Sequence, residues 1–183
     1  MDSIVINTER LTLKPLGLKY LKSAILYSMD YENTKYMRDL PDRTVEETRQ
    51  FLMKAEKEWE KENPRFLEFA VIYRNMHIGA VNVYSEKDGA ELGWIIQKNY
   101  WGKGFAYEAA KALVEYTKAE KALVKYTKTE GKGNCFFAHC DSENIASYKV
   151  MEKLGMKRTG EWGGRKNKSS SEERFEYRYE LCF

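Results

Sequence analysis

The sequence predicts a mixed α/β, α+β-like domain in which helices flank a mostly antiparallel central sheet. Three observations support this fold class: helical periodicity near the start, three consecutive β-rich runs, and a strand–helix–strand pattern after them. The predicted order of elements is β, α, α, β, β, β, α, β, α, β. A chain of 183 residues is expected to form one domain, 1–183.

The first part of the chain is expected to contain one strand and two helices. Alternating apolar and polar residues at 10–16 predict the strand, and helical spacing at 18–29 predicts the first helix. The second helix is expected at 44–63, where Thr44 and Glu47 have the spacing of a capping box.

The middle of the chain changes from helical to strand-like periodicity. Three β-rich runs occur at 66–74, 76–85 and 90–97, separated by short breaks at Asn75 and 86–89. Short breaks of this kind are typical of consecutive hairpins. We therefore predict an antiparallel meander.

The second half of the chain is predicted to alternate helices and strands. A helix is expected at 104–130, a strand at 134–141, a helix at 145–156 that Gly155 closes, and a final strand at 174–183.

A polar segment at 162–173 is rich in glycine and serine, and we predict a mobile loop between two terminal strands. A solvated connection and a flap over a substrate cleft are the two interpretations of this loop.

Residues 111–120 are followed at once by a near-perfect copy at 121–130. Ten added helical residues rotate the second copy by about 1000° relative to the first, so its apolar side chains leave the line of the first copy. We expect a projecting helix rather than a break near 118–121, because neither proline nor glycine interrupts the segment. A homodimer contact through the duplicated helix would cover the exposed apolar residues.

Composition and charge exclude several classes of protein. The chain has 43% apolar and 32% charged residues, as ordinary globular proteins do. The net charge is +3 and the basic residues lie among acids, so no nucleic-acid partner is expected. No apolar run approaches the roughly 18 residues of a membrane span, so we expect no membrane partner and a cytoplasmic protein.

The cysteines are odd in number and lack a CxxC pair. Cys135, Cys140 and Cys182 lie in strand-like sequence, which predicts reduced, buried thiols. Only His77 and His139 are available to join them, and no metal-ligand spacing results. No metal is expected.

The stretch "NYWGKGFAYEAA" at 99–110 sets Gly102 and Gly104 directly before a helix that begins around Phe105. Unpaired backbone N–H groups and the positive end of the helix dipole meet there, and glycines allow close approach of the backbone. The sequence therefore predicts an anion site, although two glycines alone are also compatible with a tight turn. The stretch is neither a Walker loop nor the three-glycine dinucleotide fingerprint.

Four motifs occur in one order along the chain: "TERLTLKPL", "AELGWII", "YWGKGFAYEAAKAL" and "NIASYKVMEKLGM". This set resembles the GNAT superfamily of acyl-CoA-dependent N-acetyltransferases, and within it the branch that includes ribosomal-protein N-terminal acetyltransferases. The resemblance covers nearly the whole chain. It implies a GNAT-type sheet and acetyl-CoA as co-substrate.

The resemblance also implies the cofactor-binding residues. The turn would bind the pyrophosphate of coenzyme A, and the strand before it would part from the next strand to pair with the pantetheine arm. Asn144 matches the asparagine that binds the pantetheine region, although a helix N-cap is an equally good interpretation. The implied residues are Ile95, Ile96, Gln97, Trp101, Gly102, Lys103, Gly104, Phe105, Ala106 and Asn144.

The chain departs from the family pattern at two positions. Asn99 stands where the family has glutamine or arginine, and Met151 stands where many members have the tyrosine that protonates the departing thiolate. Methionine cannot donate that proton. Ser147 matches the serine of the ribosomal-protein branch and is our candidate for this step, with Tyr148 as the second candidate.

Acetyl transfer needs a neutral amine, whereas α-amino groups and lysines are largely protonated at neutral pH. Glu91 is the candidate base, acting directly or through a water; the alternative is an ordinary strand glutamate. His139 in the neighbouring strand is a further candidate base or a structural residue, and a covalent route through Cys140 is disfavoured. Residues 30–47 hold six acids and three bases, a balance that attracts a cationic amine.

The predicted function is acetyl-CoA-dependent transfer of an acetyl group to a primary amine, foremost a protein N-terminal α-amino group, by direct transfer in a ternary complex. Two alternatives remain. One is a polyamine or other small-amine acetyltransferase, and the other is a non-catalytic acyl-CoA-binding module, which Asn99 and Met151 motivate.

Overall fold

The computed structural model describes residues 4–120 and 135–183, and these form eight strands and five α-helices. The strands are β1 (Ile6–Asn7), β2 (Leu11–Pro15), β3 (Phe66–Tyr73), β4 (Met76–Glu86), β5 (Gly89–Ile96), β6 (Cys135–Asp141), β7 (Lys157–Lys166) and β8 (Glu173–Cys182). The helices are α1 (Leu21–Ser28), α2 (Tyr31–Thr34), α3 (Val45–Trp59), α4 (Phe105–Glu120) and α5 (Ile145–Lys153).

The strands form one sheet in the order β1-β2-β3-β4-β5-β6-β8-β7. Neighbouring strands are antiparallel, except that β5 and β6 run parallel and are joined by the crossover that contains α4. The predicted fold class is therefore confirmed, including its meander β3-β4-β5 and its strand–helix–strand crossover.

Helices cover both faces of the sheet. On one face α4 and α5 pack against the sheet, and side chains such as Val81, Leu113 and Met151 form the larger core. On the other face α1 and α3 cover β3 and β4 through a smaller core that includes Leu52 and Ala80. Successive β4 residues face opposite ways, as pleating requires, and this places Val81 and Ala80 in different cores.

Local sequence signals correctly predicted the start of α3 and the end of α5. Thr44 accepts the N–H of Glu47 at 3.2 Å, so the predicted N-cap of α3 is confirmed. The Glu47 carboxylate reaches back to the N–H of Arg43 at 3.1 Å, one residue earlier than in a standard capping box. Gly155 follows α5 with φ +84°, and the N–H of Met156 closes the helix on Met151.

The predicted loop at 162–173 is wrong in its first half, because β7 continues to Lys166. The glycines that suggested a loop instead lie at an irregularity of the β7–β8 pairing, where Gly164 has φ +85°. The remaining connection between β7 and β8 is held in place, because the N–H of Lys168 donates to the carbonyl of Met37 at 3.0 Å.

The cysteine prediction is also wrong in part. Cys135 and Cys182 are paired residues of β6 and β8, and a disulfide joins them. Strand register brings them together across a separation of 47 residues, and sequence spacing does not show register. Cys140 is free and buried, as predicted. The disulfide consequently contradicts the predicted reduced state of Cys135 and Cys182.

Helix α4 is continuous through the first copy of the duplication, to Glu120. The second copy at 121–130 lies outside the described residues, so the projecting helix and the homodimer contact stay predictions. Within the described part of the chain, no helix has the length and apolar character needed to cross a lipid bilayer.

Beneath α1 and α3 the sheet holds a buried carboxyl group. Glu68 of β3 accepts hydrogen bonds from Asn82 Nδ2 and the hydroxyl of Tyr84, both at 3.0 Å. Desolvation raises the pKa of Glu68 to about 7, although the two hydrogen bonds oppose the rise. The unfolded chain offers no such environment.

We expect Glu68→Gln to remove a pH-dependent loss of stability. The folded-state pKa lies above the unfolded value of about 4.3, so the wild type loses stability as pH rises from about 4.3 to about 7 and little more above that. Between about pH 4.5 and pH 8 the wild type should lose about 3 kcal/mol relative to the variant, whose amide can still accept both hydrogen bonds. Urea unfolding of both proteins at the two pH values measures the difference; parallel pH dependence would contradict it.

Candidate active site

Strands β5 and β6 part from each other soon after they begin. Within the described residues their pairing is limited to Ala90 with Phe136 and Glu91 with Phe137. Beyond Glu91, β5 stays paired to β4 as far as Ile96, while β6 stays paired to β8. A gap therefore opens in the middle of the sheet, toward the carboxyl ends of the two parallel strands.

The phase of the β4–β5 pairing decides which main-chain groups face this gap. The N–H of Gln97 donates to the carbonyl of Ile78 at 2.8 Å, so Ile95, two residues earlier, is also bonded to β4. The main-chain groups of Trp94 and Ile96 consequently point toward the gap. Of the three residues expected to pair with pantetheine, only Ile96 has this orientation.

The carbonyl of Ile96 is already engaged by two side chains. It accepts Trp101 Nε1 at 2.6 Å and Asn33 Nδ2 at 2.7 Å. Asn33 also accepts the N–H of Lys98 at 3.0 Å, so this residue of α2 holds the end of β5 in place. No sequence signal marked Asn33, because its partners lie more than sixty positions away.

After β5 a short 3₁₀ turn leads to the glycine turn at 101–104. Gly102 and Gly104 have φ values of +73° and +78°, a region that favours glycine. Helix α4 then begins at Phe105. Its first N–H group that donates to a carbonyl four residues earlier is that of Glu108, at 3.1 Å from Gly104 O. The preceding N–H groups and the positive end of the helix dipole come together at this turn, an arrangement that favours an anion.

An ion pair between Arg10, which precedes β2, and Glu108 of α4 supports the turn. Arg10 donates from Nε to Glu108 at 2.7 Å and from a terminal nitrogen to the carbonyl of Lys103 at 3.0 Å. Its guanidinium also lies over the ring of Phe105, 4.7 Å from the centroid. The bond from Arg10 to the Lys103 carbonyl holds the shape of the turn. Glu108 neutralises Arg10, so the pair adds no net charge there. The sequence contained Arg10 in a recognised motif but did not show this role.

Helix α5 begins shortly after β6, beyond the carboxyl end of that strand. Asn144 caps the helix by accepting the N–H of Ser147 at 3.2 Å, so the N-cap interpretation is confirmed by geometry. Ser147 and Tyr148 are half-buried, and the ring of Tyr148 lies 6.1 Å from that of Tyr177. Met151 is only 1% exposed and belongs to the core.

The face of the sheet opposite α4 carries a carboxylate–imidazole pair at the start of the gap. Glu91 Oε1 lies 2.7 Å from His139 Nδ1. The His139 ring packs edge-on against Phe137 at 5.4 Å and Trp162 at 5.8 Å between centroids. Cys140, on the other side of β6, is buried, and desolvation raises the pKa of its thiol to about 12, so it is a poor nucleophile near neutral pH.

On this face, hydrogen bonds and ion pairs around the buried carboxylate of Glu176 join the segment between α2 and α3 to β7 and β8. Arg165 is 8% exposed, pairs with Glu176, and donates to the carbonyl of Tyr36 at 2.8 Å. Arg38 donates to the second oxygen of Glu176 at 2.5 Å, and Trp162 Nε1 donates to the same oxygen at 3.2 Å. The segment between α2 and α3 is thereby fastened to β7 and β8.

The acid-rich segment at 30–47 carries less free negative charge than its composition suggested. Four of its acids have basic partners in the structure: Asp30 with Lys98, Glu32 with Lys35, Glu46 with Arg49, and Glu47 with Lys168. The described residues contain no group of three or more His, Cys, Asp or Glu side chains that could hold a metal ion.

Comparison with known proteins identifies the family of this chain. Residues 10–157 match the family model described as acetyltransferase (GNAT) domain. The chain therefore belongs to the GNAT acetyltransferase family. It is 32% identical over 162 residues to the N-acetyltransferase YnaD of Bacillus subtilis, which covers 85% of this chain and 84% of that protein.

Solved structures show the same fold. A GNAT-family acetyltransferase from Bacillus anthracis is 28% identical and superimposes with a TM-score of 0.77 over 98% of both chains. The ribosomal L7/L12 alpha-N-protein acetyltransferase RimL, in complex with coenzyme A, has a TM-score of 0.79 at 14% identity over 98% of both chains. The Microcin C7 self immunity acetyltransferase MccE, with acetyl-CoA and AMP, has a TM-score of 0.76 at 18% identity over 96% of this chain and 94% of its own.

Proposed function

We propose that this acetyltransferase moves the acetyl group of acetyl-CoA to a primary amine by direct transfer in a ternary complex. The observation that carries the proposal is the gap between β5 and β6, which begins beside the Glu91–His139 pair and ends beside the glycine turn. One extended thioester can therefore reach the anion site and the polar pair at once.

In this proposal the turn binds the pyrophosphate through the backbone from Trp101 to Ala106. The amide of Ile96 and the main-chain groups of Trp94 pair with the pantetheine arm, because they face the gap. The solved complexes of RimL with coenzyme A and of MccE with acetyl-CoA support this assignment, since both share the fold.

Proton transfer completes the proposed reaction. The Glu91–His139 pair removes the proton of the acceptor ammonium, and the amine then attacks the thioester carbonyl. Ser147 protonates the departing thiolate, with Tyr148 as the second candidate, since Met151 is buried and carries no proton to donate.

For the acceptor we favour a protein N-terminal α-amino group. Structural neighbours described as ribosomal-protein N-terminal acetyltransferases support this choice. A polyamine or another small amine is the second candidate, because neighbours of the same fold also include the self immunity acetyltransferase MccE. The polar pair at the gap favours an enzyme over a non-catalytic acyl-CoA-binding module.

An acceptor panel tests the proposed function. Purified protein is incubated with acetyl-CoA and peptides with free N-termini, the same peptides with blocked N-termini, polyamines and lysine. We expect release of free thiol and a mass gain of one acetyl group on peptides with free N-termini. Turnover confined to polyamines would select the second candidate. Acetyl-CoA binding without turnover on any amine would favour the binding module.

Gly104→Ala should weaken coenzyme A binding beyond its effect on folding. Among the described residues a methyl group there meets Arg10 alone, at 3.6 Å, but alanine strains the φ of +78° by about 1–2 kcal/mol and displaces the turn. Isothermal titration with coenzyme A should show at least about tenfold weaker binding, equivalent to roughly 1.4 kcal/mol.

Gly155→Ala is the matched control for that variant. Gly155 has φ +84°, and its added methyl group also makes only an ordinary contact, at 3.9 Å. Both variants should lose similar stability in thermal unfolding, whereas only Gly104→Ala should lose coenzyme A affinity. Equal affinity in the two variants would remove the turn from the binding site.

Ser147→Ala should lower kcat with little change in the affinity for acetyl-CoA, because it removes a proton donor but leaves the backbone of α5 intact. Tyr148→Phe is its counterpart, and it keeps the ring packing against Tyr177. Steady-state kinetics should show that kcat decreases by at least about tenfold in whichever variant removes the proton donor. A slow Tyr148→Phe enzyme beside a fully active Ser147→Ala enzyme would reassign the step to Tyr148.

A further inference from the structure

We propose that His139 is a catalytic residue of this acetyltransferase. Its Nε2 atom takes the proton of the acceptor ammonium, and Glu91 acts as a positioning residue that holds the imidazole in the tautomer with Nε2 unprotonated. This inference rests on the proposed function and names the atom that receives the proton.

The tautomer follows from the contact between Glu91 and His139. An ionised carboxylate only accepts hydrogen bonds, so the Nδ1 atom that lies 2.7 Å from Glu91 Oε1 must carry the proton. In a neutral imidazole the other nitrogen then has the free lone pair. Glu91 therefore leaves Nε2 as the basic atom.

The Nε2 atom of His139 is available to a substrate. No described residue forms a hydrogen bond with it, and the His139 side chain keeps 18% of its surface exposed. The other histidine differs in this respect: His77 Nε2 is buried without a partner among the described residues, and its Nδ1 contacts the hydroxyl of Ser23. Of the two imidazoles, only that of His139 lies at the gap.

Neighbouring side chains fix the plane of the His139 ring. Phe137 and Trp162 pack edge-on against it, and Trp162 is anchored through Nε1 to the buried carboxylate of Glu176. A catalytic imidazole needs this restraint, because proton transfer depends on direction as well as distance.

The charged group opposite His139 on β8 is directed elsewhere. Arg178 pairs with His139 in register, but its guanidinium bonds to Glu180 at 2.7 Å, lies 3.6 Å from Asp88, and covers the Phe137 ring at 4.1 Å. On β5 the facing charge is that of Glu91, and β7 contributes the uncharged Trp162. The nearest charge to the imidazole is therefore the carboxylate at Nδ1.

The proposed step is balanced in protons and electrons. The acceptor ammonium gives one proton to Nε2 and becomes a neutral amine. Its lone pair forms the C–N bond with the acetyl carbonyl carbon, and the nitrogen, now positively charged, loses its second proton to solvent as the C–S bond breaks. The thiolate takes a proton from the α5 side, the donor there regains one from solvent, and the imidazolium returns its proton to solvent, so that one proton is released per acetyl group transferred. Glu91 stays ionised throughout, so it neither gains nor loses a proton.

Nitrogen NMR tests the tautomer without any turnover. The chain has two histidines, so a spectrum of ¹⁵N-labelled protein contains two imidazoles. Burial lowers the pKa of His77 to about 4, so His77 stays neutral near pH 7 and serves as the reference, and His77→Gln assigns the signals. We expect neutral His139 to be protonated at Nδ1, and Glu91→Ala to abolish this preference. Protonation at Nε2 in the wild type would overturn the proposal.

Kinetics test the catalytic role. His139→Gln can still contact Glu91 but has no basic nitrogen, so kcat/KM should fall by about 10²- to 10⁴-fold while the affinity for acetyl-CoA is unchanged. The loss should be smaller for a fluorinated analogue of the accepted amine, whose lower pKa leaves more of it neutral. A structural role would reduce the rates with both amines equally, and that result would overturn the proposal.

Glu91→Gln separates the two members of the pair. It should reduce kcat/KM less than His139→Gln does, because Nε2 can still accept a proton when the orienting charge is gone. The reverse order would make Glu91 the base and overturn the role of His139. Turnover by the wild type together with a fully active His139→Gln enzyme overturns this inference alone. Absence of turnover with every amine overturns the proposed function as well.

Discussion

The parting of β5 from β6 is the constraint on which the site depends. A strand that leaves its neighbour exposes backbone donors and acceptors, and these need other partners. The carbonyl of Ile96 obtains them from Trp101 and Asn33, one from the glycine turn and one from α2. The same two bonds that satisfy the strand therefore hold the glycine turn and α2 at the edge of the gap.

The direction of the crossover then decides what meets at that edge. Because β5 and β6 are parallel, the connecting helix α4 begins at the carboxyl end of β5 and brings its N–H groups there. The sheet also separates two environments. Apolar packing of α4 and α5 dominates one face, whereas Glu91 and His139 lie on the other, where buried charges such as Arg165 and Glu176 hold the surrounding segments.

Local patterns in the sequence predicted local structure well, whereas features that depend on pairing between distant segments were not predicted. The cap at Thr44, the closing glycine of α5 and the glycine turn are each encoded within a few positions. The Cys135–Cys182 disulfide and the Arg10–Glu108 ion pair join residues 47 and 98 positions apart. Sheet register brings the two cysteines together, and packing of α4 against the β1–β2 end of the sheet brings Glu108 to Arg10. The sequence placed Glu91 and His139 in neighbouring strands without showing that their side chains share a face, and that contact turns two separate candidates into a single unit.

The position of Met151 shows how the second proton transfer is constrained. Many members of the family that this chain resembles have a tyrosine at this position. In this chain the Met151 side chain is buried in the core on the sheet face that α4 and α5 cover. A hydroxyl at that depth would need a hydrogen-bond partner, because an unpaired buried hydroxyl is costly. The proposed donor to the thiolate lies instead in the first turn of α5, where Ser147 and Tyr148 remain partly exposed. In the proposed reaction, the amine thus loses its proton on one face of the sheet and the thiolate gains one from the other, with the thioester in the gap between them.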